Sequence, residues 1–236
     1  MLYVFCFHQI LPNIPLQRTR YPIEAFLRLL DELFPKYPSV LPGDPLSLFS
    51  PSISLTFDDA SFDFYHYVFP LLKQRNLKAL LSIPTFYIKE KSNSTIEERL
   101  SGNLFDENSP HTPFCTWEEI RTMVETGLIE AASHSHTHID LTKEVDLNLE
   151  ILSSKALLEE KLKRKIKTFV FPFGKFNGKT LQLAKKHYPY VMRVGSSFNL
   201  SWQNLSGVIY RLPSDLIKKG RPKNWAAFLT HSIRGR

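Results

Sequence analysis

The 236 residues of this chain predict an α/β protein built on a parallel sheet. Short apolar strands alternate with amphipathic helices from end to end, an order that implies parallel strands joined by right-handed crossovers. The length suits a single α/β barrel, read here as one catalytic domain over residues 1–236. The residues able to do chemistry stand just after predicted strands, where barrel folds gather their sites.

Residues 2–7 form the first predicted strand, ending in Val4-Phe5-Cys6-Phe7-His8. Pro22 then opens a helix with Ile23, Phe26, Leu27, Leu30 and Leu33 on one face, and Pro35 ends it. Ile53-Ser54-Leu55-Thr56-Phe57 alternates apolar and polar as a half-buried strand does, and Phe62, Tyr65, Val68, Phe69 and Leu72 recur at helical spacing behind it. Further strands are expected at 78–83, 129–133, 168–171, 190–195 and 208–212, seven in all. The main helices between them span 116–125, 147–163 and 179–187. Leu147, Ile151, Leu158 and Leu162 align on the second of these. The stretch 91–113, rich in Ser, Asn and acidic residues, is the one long irregular connection.

Three separated stretches carry chemistry: Thr56-Phe57-Asp58-Asp59, His134-Ser135-His136-Thr137-His138 and Phe171-Pro172-Phe173-Gly174. An adjacent aspartate pair after a strand often only caps the next helix. Its place at a strand's C-terminal end favours chemistry. Three histidines in five residues are poorly explained by a solvated turn. A continuing strand would put His134, His136 and His138 on one face, whereas a turn brings only His134 and His138 together. Asp140 and the polar residues beyond it favour the turn. One Asp with two His makes a three-ligand site with a position open for water, as in catalytic rather than structural zinc sites, and leaves the second Asp free as a base.

In order and spacing, TFDD at Asp58-Asp59, HSxxH at His134 to His138 and PFG at Pro172 to Gly174 resemble the motifs of the polysaccharide deacetylases, the NodB-homology or carbohydrate esterase 4 family. Trp117-Glu118-Glu119-Ile120, Ser154-Lys155 and Leu158-Glu159 extend the resemblance over nearly the whole chain. It implies a distorted seven-stranded (β/α) barrel. It also implies Asp58 as general base, Asp59, His134 and His138 as metal ligands, and the backbone N–H of Phe173 in an oxyanion hole. Many members carry Gly after the Asp pair and Arg before the PFG motif, where this chain has Ala60 and Phe169-Val170-Phe171. The poly-N-acetylglucosamine deacetylase branch also lacks that arginine and takes its catalytic acid histidine from the start of the domain, which here is His8. His231 is the competing acid, but residues 224–232 read as a closing helix whose end frays. Arg211, ending the last strand, is the candidate to replace the missing arginine and to contribute to substrate binding.

The implied function is a metal-dependent hydrolase that removes acetyl groups from an N-acetylated sugar or glycan with water activated by a divalent metal. Zinc is the default for this ligand set, although nickel, cobalt or iron accept it. The alternatives are a catalytically silent glycan-binding protein on the same fold and a deacylase of another amide, such as a lipid-linked sugar. Basic residues outnumber acidic ones by 30 to 23. The excess lies wholly in residues 119–236, where twenty basic residues face ten acidic ones, against ten and thirteen in 1–118. Without a nucleic-acid-binding motif, this asymmetry does not predict a nucleic-acid partner. The two cysteines, Cys6 and Cys115, make no metal pattern and at most one disulfide. No run is apolar for long enough to cross a membrane, and the start of the chain reads as a strand rather than a leader. Taken literally, the sequence predicts a cytoplasmic protein; a leader upstream would export it, as most family members acting on cell-wall glycans are.

Overall fold

The computed structural model describes residues 1–106, 111–195, 197, 199–204, 206–218 and 221–222. The expected closing helix at 224–232, with His231, lies outside them. Seven parallel strands close into a barrel: β1 (Leu2–Phe7), β4 (Ser52–Phe57), β5 (Ala79–Ile83), β6 (Ile129–Ser133), β7 (Thr168–Val170), β8 (Tyr190–Val194) and β9 (Ile209–Pro213). β1 pairs with β4 along its whole length, Leu2 with Ser52 through to Phe7 with Phe57. The ring closes through β9, where Phe5 faces Leu212 and Cys6 faces Pro213. It is thinnest between β6 and β7, which share the single pair Ser133–Phe169.

Strand alternation sorts the side chains into two layers. Phe5, Phe7, Leu55, Phe57, Leu81, Ile83, Phe169 and Phe171 face outward into the main core beneath the helices. Each such large apolar side chain, fully buried, stabilises the fold by roughly 1.5–3 kcal/mol. Leu2, Val4, Leu80, Ala132, Val170, Met192 and Ile209 pack with Val40 and Trp202 in a second cluster. Ser52, Ser54 and Thr56, the polar positions of β4, are all 0 % exposed. The alternation that predicts a half-buried strand therefore has another cause. Both faces are buried, and the polar one lines a barrel interior that must hold a charged pair.

Helix α1 (Ile23–Leu33) begins after Pro22 and buries Phe26, Leu29, Leu30 and Leu33. α2 (Phe69–Gln74) follows a π-helical turn at Phe64–Val68. α4 (Trp117–Glu125) starts on a capping box in which Thr116 and Glu119 satisfy each other's free backbone N–H groups. α5 (Ser154–Leu162) is entered through a second π-helical turn, Asn148–Ser153, so the expected helix over 147–163 is not regular. α6 is Gly178–His187. The connection over 91–113 is less irregular than expected, since α3 (Ile96–Ser101) sits inside it on a Thr95–Glu98 capping box. Two short strands outside the barrel, β2 (Gln9–Leu11) and β3 (Arg20–Pro22), pair in parallel just beyond β1. Among the described residues, no helix is long and apolar enough to cross a membrane. Cys6 and Cys115 are both buried free thiols.

Candidate active site

Three strand ends build the site. β1, β4 and β6 finish at Phe7, Phe57 and Ser133, and the next residues are His8, Asp58 and His134. The ladder runs one step past the strands: the Asp58 N–H donates to the Phe7 carbonyl at 2.9 Å, and the His134 N–H to that of Ile83 at 3.0 Å. Both functional side chains thus leave a rigid edge. Immediately afterwards the backbone turns sharply. Asp59, Ala60, Ser135, His138 and Phe173 all have positive φ, between 49° and 71°. For residues with a side chain such conformations cost on the order of 1 kcal/mol or more each, and they cluster at this end of the barrel. Gly174 completes the Phe173 turn at φ 66°, where a Cβ would stand 3.2 Å from the Val194 N and 3.3 Å from its carbonyl oxygen. Only glycine suits that position.

The two adjacent aspartates are in opposite situations. Asp58 receives a two-pronged ion pair from Arg211, with Nη1 at 2.6 Å from Oδ1 and Nη2 at 2.9 Å from Oδ2. Ser82 Oγ donates to the same Oδ1, and Cys6 Sγ lies 3.5 Å from Oδ2. Burial alone would raise the Asp58 carboxyl, but the Arg211 charge, assisted by His134, holds it well below the usual carboxylate range. It is an anion at any moderate pH. Burial and the neighbouring Asp58 charge push Asp59 well above that range.

Asp59 Oδ1 is buried and has no hydrogen-bond partner. It stands 3.6 Å from His134 Nε2 and 3.4 Å from His138 Nε2. One ligand atom from each residue lies within 4.8 Å of the others. His134 Nδ1 is 2.8 Å from the Val170 carbonyl, which fixes the proton on Nδ1 and turns the Nε2 lone pair toward Asp59. Burial lowers His134 to about 4 and, with the His134 charge adding to it, His138 to about 3. Both imidazoles are therefore neutral and ready to ligate. An orphaned carboxylate oxygen between two neutral imidazole nitrogens fits a divalent cation of borderline softness. The cation would also compensate the charge that burial penalises on Asp59.

His136 faces elsewhere. Its Nδ1 is 2.8 Å from Thr85 Oγ1, and its ring lies edge-on to Phe86. The chain thus turns after Ser133 and converges His134 with His138 alone. His136→Ala is expected to keep near-full metal content, while His134→Ala and His138→Ala each lose it, as metal analysis of the purified variants would show. Equal loss in all three would place His136 among the ligands.

The turn carrying these histidines is held by Glu150, which no sequence pattern marks. Glu150 is 3 % exposed, and its carboxylate accepts the N–H groups of His136 and Thr137 at 3.0 and 2.9 Å and the Thr137 hydroxyl at 2.6 Å. Asp63 is another unmarked residue. It accepts the Ile10 N–H at 2.6 Å and so ties the segment after His8 to the segment after the aspartate pair.

His8 Nε2 lies 3.8 Å from Asp58 Oδ2. Burial lowers His8, and the attraction of Asp58 opposes this only in part. Phe173 is 61 % exposed, with its ring centroid 4.8 Å from that of His138, whose other side stacks on Phe105 at 4.3 Å. Arg211 is 0 % exposed and gives its guanidinium to Asp58 and Thr56, so it is the buried charge partner of Asp58 rather than a surface offered to substrate. His8, Asp58, Asp59, His134, His138 and Phe173 line one cleft of about 620 Å³, large enough for a sugar unit or two.

The model of the polysaccharide deacetylase family matches residues 49–191. A poly-beta-1,6-N-acetyl-D-glucosamine N-deacetylase of Staphylococcus aureus is 25 % identical over 145 residues, which cover 57 % of this chain and 44 % of that protein. The match therefore spans less than half of that relative. A polysaccharide deacetylase from Bacillus cereus superposes with a TM-score of 0.72 at 18 % identity, over 99 % of this chain and 69 % of that one. A de-N-acetylase from Aggregatibacter actinomycetemcomitans does so with a TM-score of 0.71 at 17 % identity, over 98 % of both chains. At such identities these two likenesses show a shared fold.

Proposed function

The chain belongs to the polysaccharide deacetylase family, and from that premise we propose that it hydrolyses the acetamido group of an N-acetylated sugar or glycan, with zinc as the default metal. One observation carries this reading: the ion-paired Asp58 beside an orphaned Asp59 that faces two neutral imidazoles. A structural carboxylate pair has no need of such an asymmetry; a base beside a cation site does.

A divalent cation held by Asp59, His134 and His138 would supply Lewis acidity toward the acetyl carbonyl and the attacking water. Asp58, fixed as an anion by Arg211, takes the proton that the water gives up. The Phe173 N–H, on its left-handed turn at the cleft rim, stabilises the oxyanion; such donors are typically worth roughly 3–4 kcal/mol. His8 delivers a proton to the departing amine. Because burial keeps the resting imidazole neutral, its proton is the one Asp58 takes from the water. The two side chains stand 3.8 Å apart, beyond direct hydrogen-bond reach, so a bridging water or a small closure carries the proton across. A carboxyl with so low an affinity for protons passes one on readily. One proton of the water reaches the nitrogen by way of Asp58 and His8, and the other stays on the acid product and ionises from it at neutral pH, so acetate, a free amino sugar and that proton form in balance.

Two measurements test this. A chromogenic acetyl ester with added metal separates an enzyme from a silent glycan-binding protein, and release of acetate from acetylated glycans identifies the amide activity. Without either, the reading fails. The role of His8 has a finer test. His8→Ala should slow amide hydrolysis by about 10²- to 10⁴-fold, the usual contribution of a positioned acid. An activated aryl acetate, whose leaving group needs little protonation, should lose far less. If His231→Ala instead shows the amide-selective loss, the acid is His231.

A further inference from the structure

We infer that the cleft is built for an acetamido sugar bearing an anionic group, a carboxylate or a phosphate, held by Arg18. This rests on the deacetylase reading of the same cleft and adds the charge of its substrate.

The inference follows from the charges that line the site. Asp58 is matched by Arg211. Lys175, at the opposite rim, is matched by Asp140 at 2.7 Å. Asp59 faces the cation site. Arg18 also lines the cleft, and among the described residues no carboxylate lies within ion-pairing distance of it. With a divalent cation on Asp59 and the two histidines, the cleft therefore carries two uncompensated positive charges, one at the metal and one on Arg18. The charge of a cation held by Asp59, His134 and His138 would be met by the oxyanion of the reaction. The charge on Arg18 has no such partner in the hydrolysis of a neutral sugar. Arg18 is exposed at the rim of the cleft, so water screens part of its field and its attraction for an anion is strongest at low salt.

The backbone delivers Arg18 deliberately. β2 and β3 pair in register, Gln9 with Arg20, and the Gln9 N–H donates to the Thr19 carbonyl at 3.0 Å. Pro12 and Pro15 stiffen the loop between the strands. Arg18 is thus anchored one residue from a hydrogen bond to the neighbour of His8, close enough for its charge to act on His8. A planar guanidinium with several N–H donors suits the two oxygens of a carboxylate or phosphate. In a cleft of about 620 Å³, the anion must sit on the reacting sugar or the next one.

Calorimetric titration of the zinc-loaded protein at low salt tests this with three probes: N-acetylglucosamine, N-acetylmuramic acid and N-acetylglucosamine 6-phosphate. At least one anionic sugar should bind tenfold or more tightly than the neutral one, and whichever does names the group. Arg18→Gln should abolish that preference, and Arg18→Lys should retain part of it. Equal affinity for all three probes, binding of neither anionic sugar, or a preference that survives in Arg18→Gln overturns the inference. Turnover of an aryl acetate by the same wild-type preparation reports separately on the deacetylase reading, so the two failures can be told apart.

Discussion

Asp58→Asn is expected to reduce acetate release by about 10²- to 10⁴-fold while the protein still binds one equivalent of metal. The amide cannot accept the proton of the attacking water, which accounts for the size of the loss. The proposed ligand atoms belong to Asp59, His134 and His138, which accounts for the metal being retained on this reading. The substitution also leaves Arg211 without a carboxylate, so rates are to be compared at a temperature where circular dichroism shows the variant fully folded. Loss of the metal together with the activity would make Asp58 a ligand rather than a base.

Arg211→Met is expected to destabilise the metal-free fold by about 3–5 kcal/mol at neutral pH, because it leaves a buried carboxylate without its counter-charge. The pH dependence distinguishes this from simple loss of packing. In the wild type, Asp58 lies well below its ordinary value, so it contributes stability that is present above that value and lost as pH falls through the folded pKa. Without Arg211, burial, already the largest influence on this carboxyl, goes largely unopposed at neutral pH, where His134 is uncharged. The folded carboxyl then moves upward, and ionisation works against folding. The gap between wild type and variant should therefore be smallest in acid and widen as pH rises through the carboxylate range. Urea denaturation across that range measures it. A gap independent of pH would reduce Arg211 to a packing residue.

The ends of the strands were legible and their insides were not. Phe7-His8 and Phe57-Asp58 could be read as strand exits because an apolar residue gives way to a polar one, and Ser133-His134 because a short strand gives way to a run of polar side chains. All seven predicted strands are present, with shifts of a residue or so at their ends. Ser54 and Thr56 read as solvent-facing because periodicity reports polarity, not what the polar face meets. They face a barrel interior occupied by the Arg211–Asp58 pair. That pair joins residues 153 positions apart, a contact no local pattern encodes. The helix in the 91–113 connection was readable, because Thr95-Ile96-Glu97-Glu98 is a capping-box sequence. Glu150 was not, since it stands on a π-helical turn whose wider winding points it at the histidine turn rather than where a regular helix would. In the sequence Arg18 is one cation among 30 basic residues; the pairing of β2 with β3 is what brings it to the cleft.

The most telling measurement is reconstitution. The purified protein is stripped with a chelator and titrated with zinc while acetate release from an N-acetylated oligosaccharide is followed. Acetate release should be absent from the stripped protein, rise linearly with added zinc, and break sharply at one equivalent, with no rise in His134→Ala over the same range. Acetate release that survives chelation, or that is restored equally in wild type and His134→Ala, would contradict a single catalytic cation on Asp59, His134 and His138.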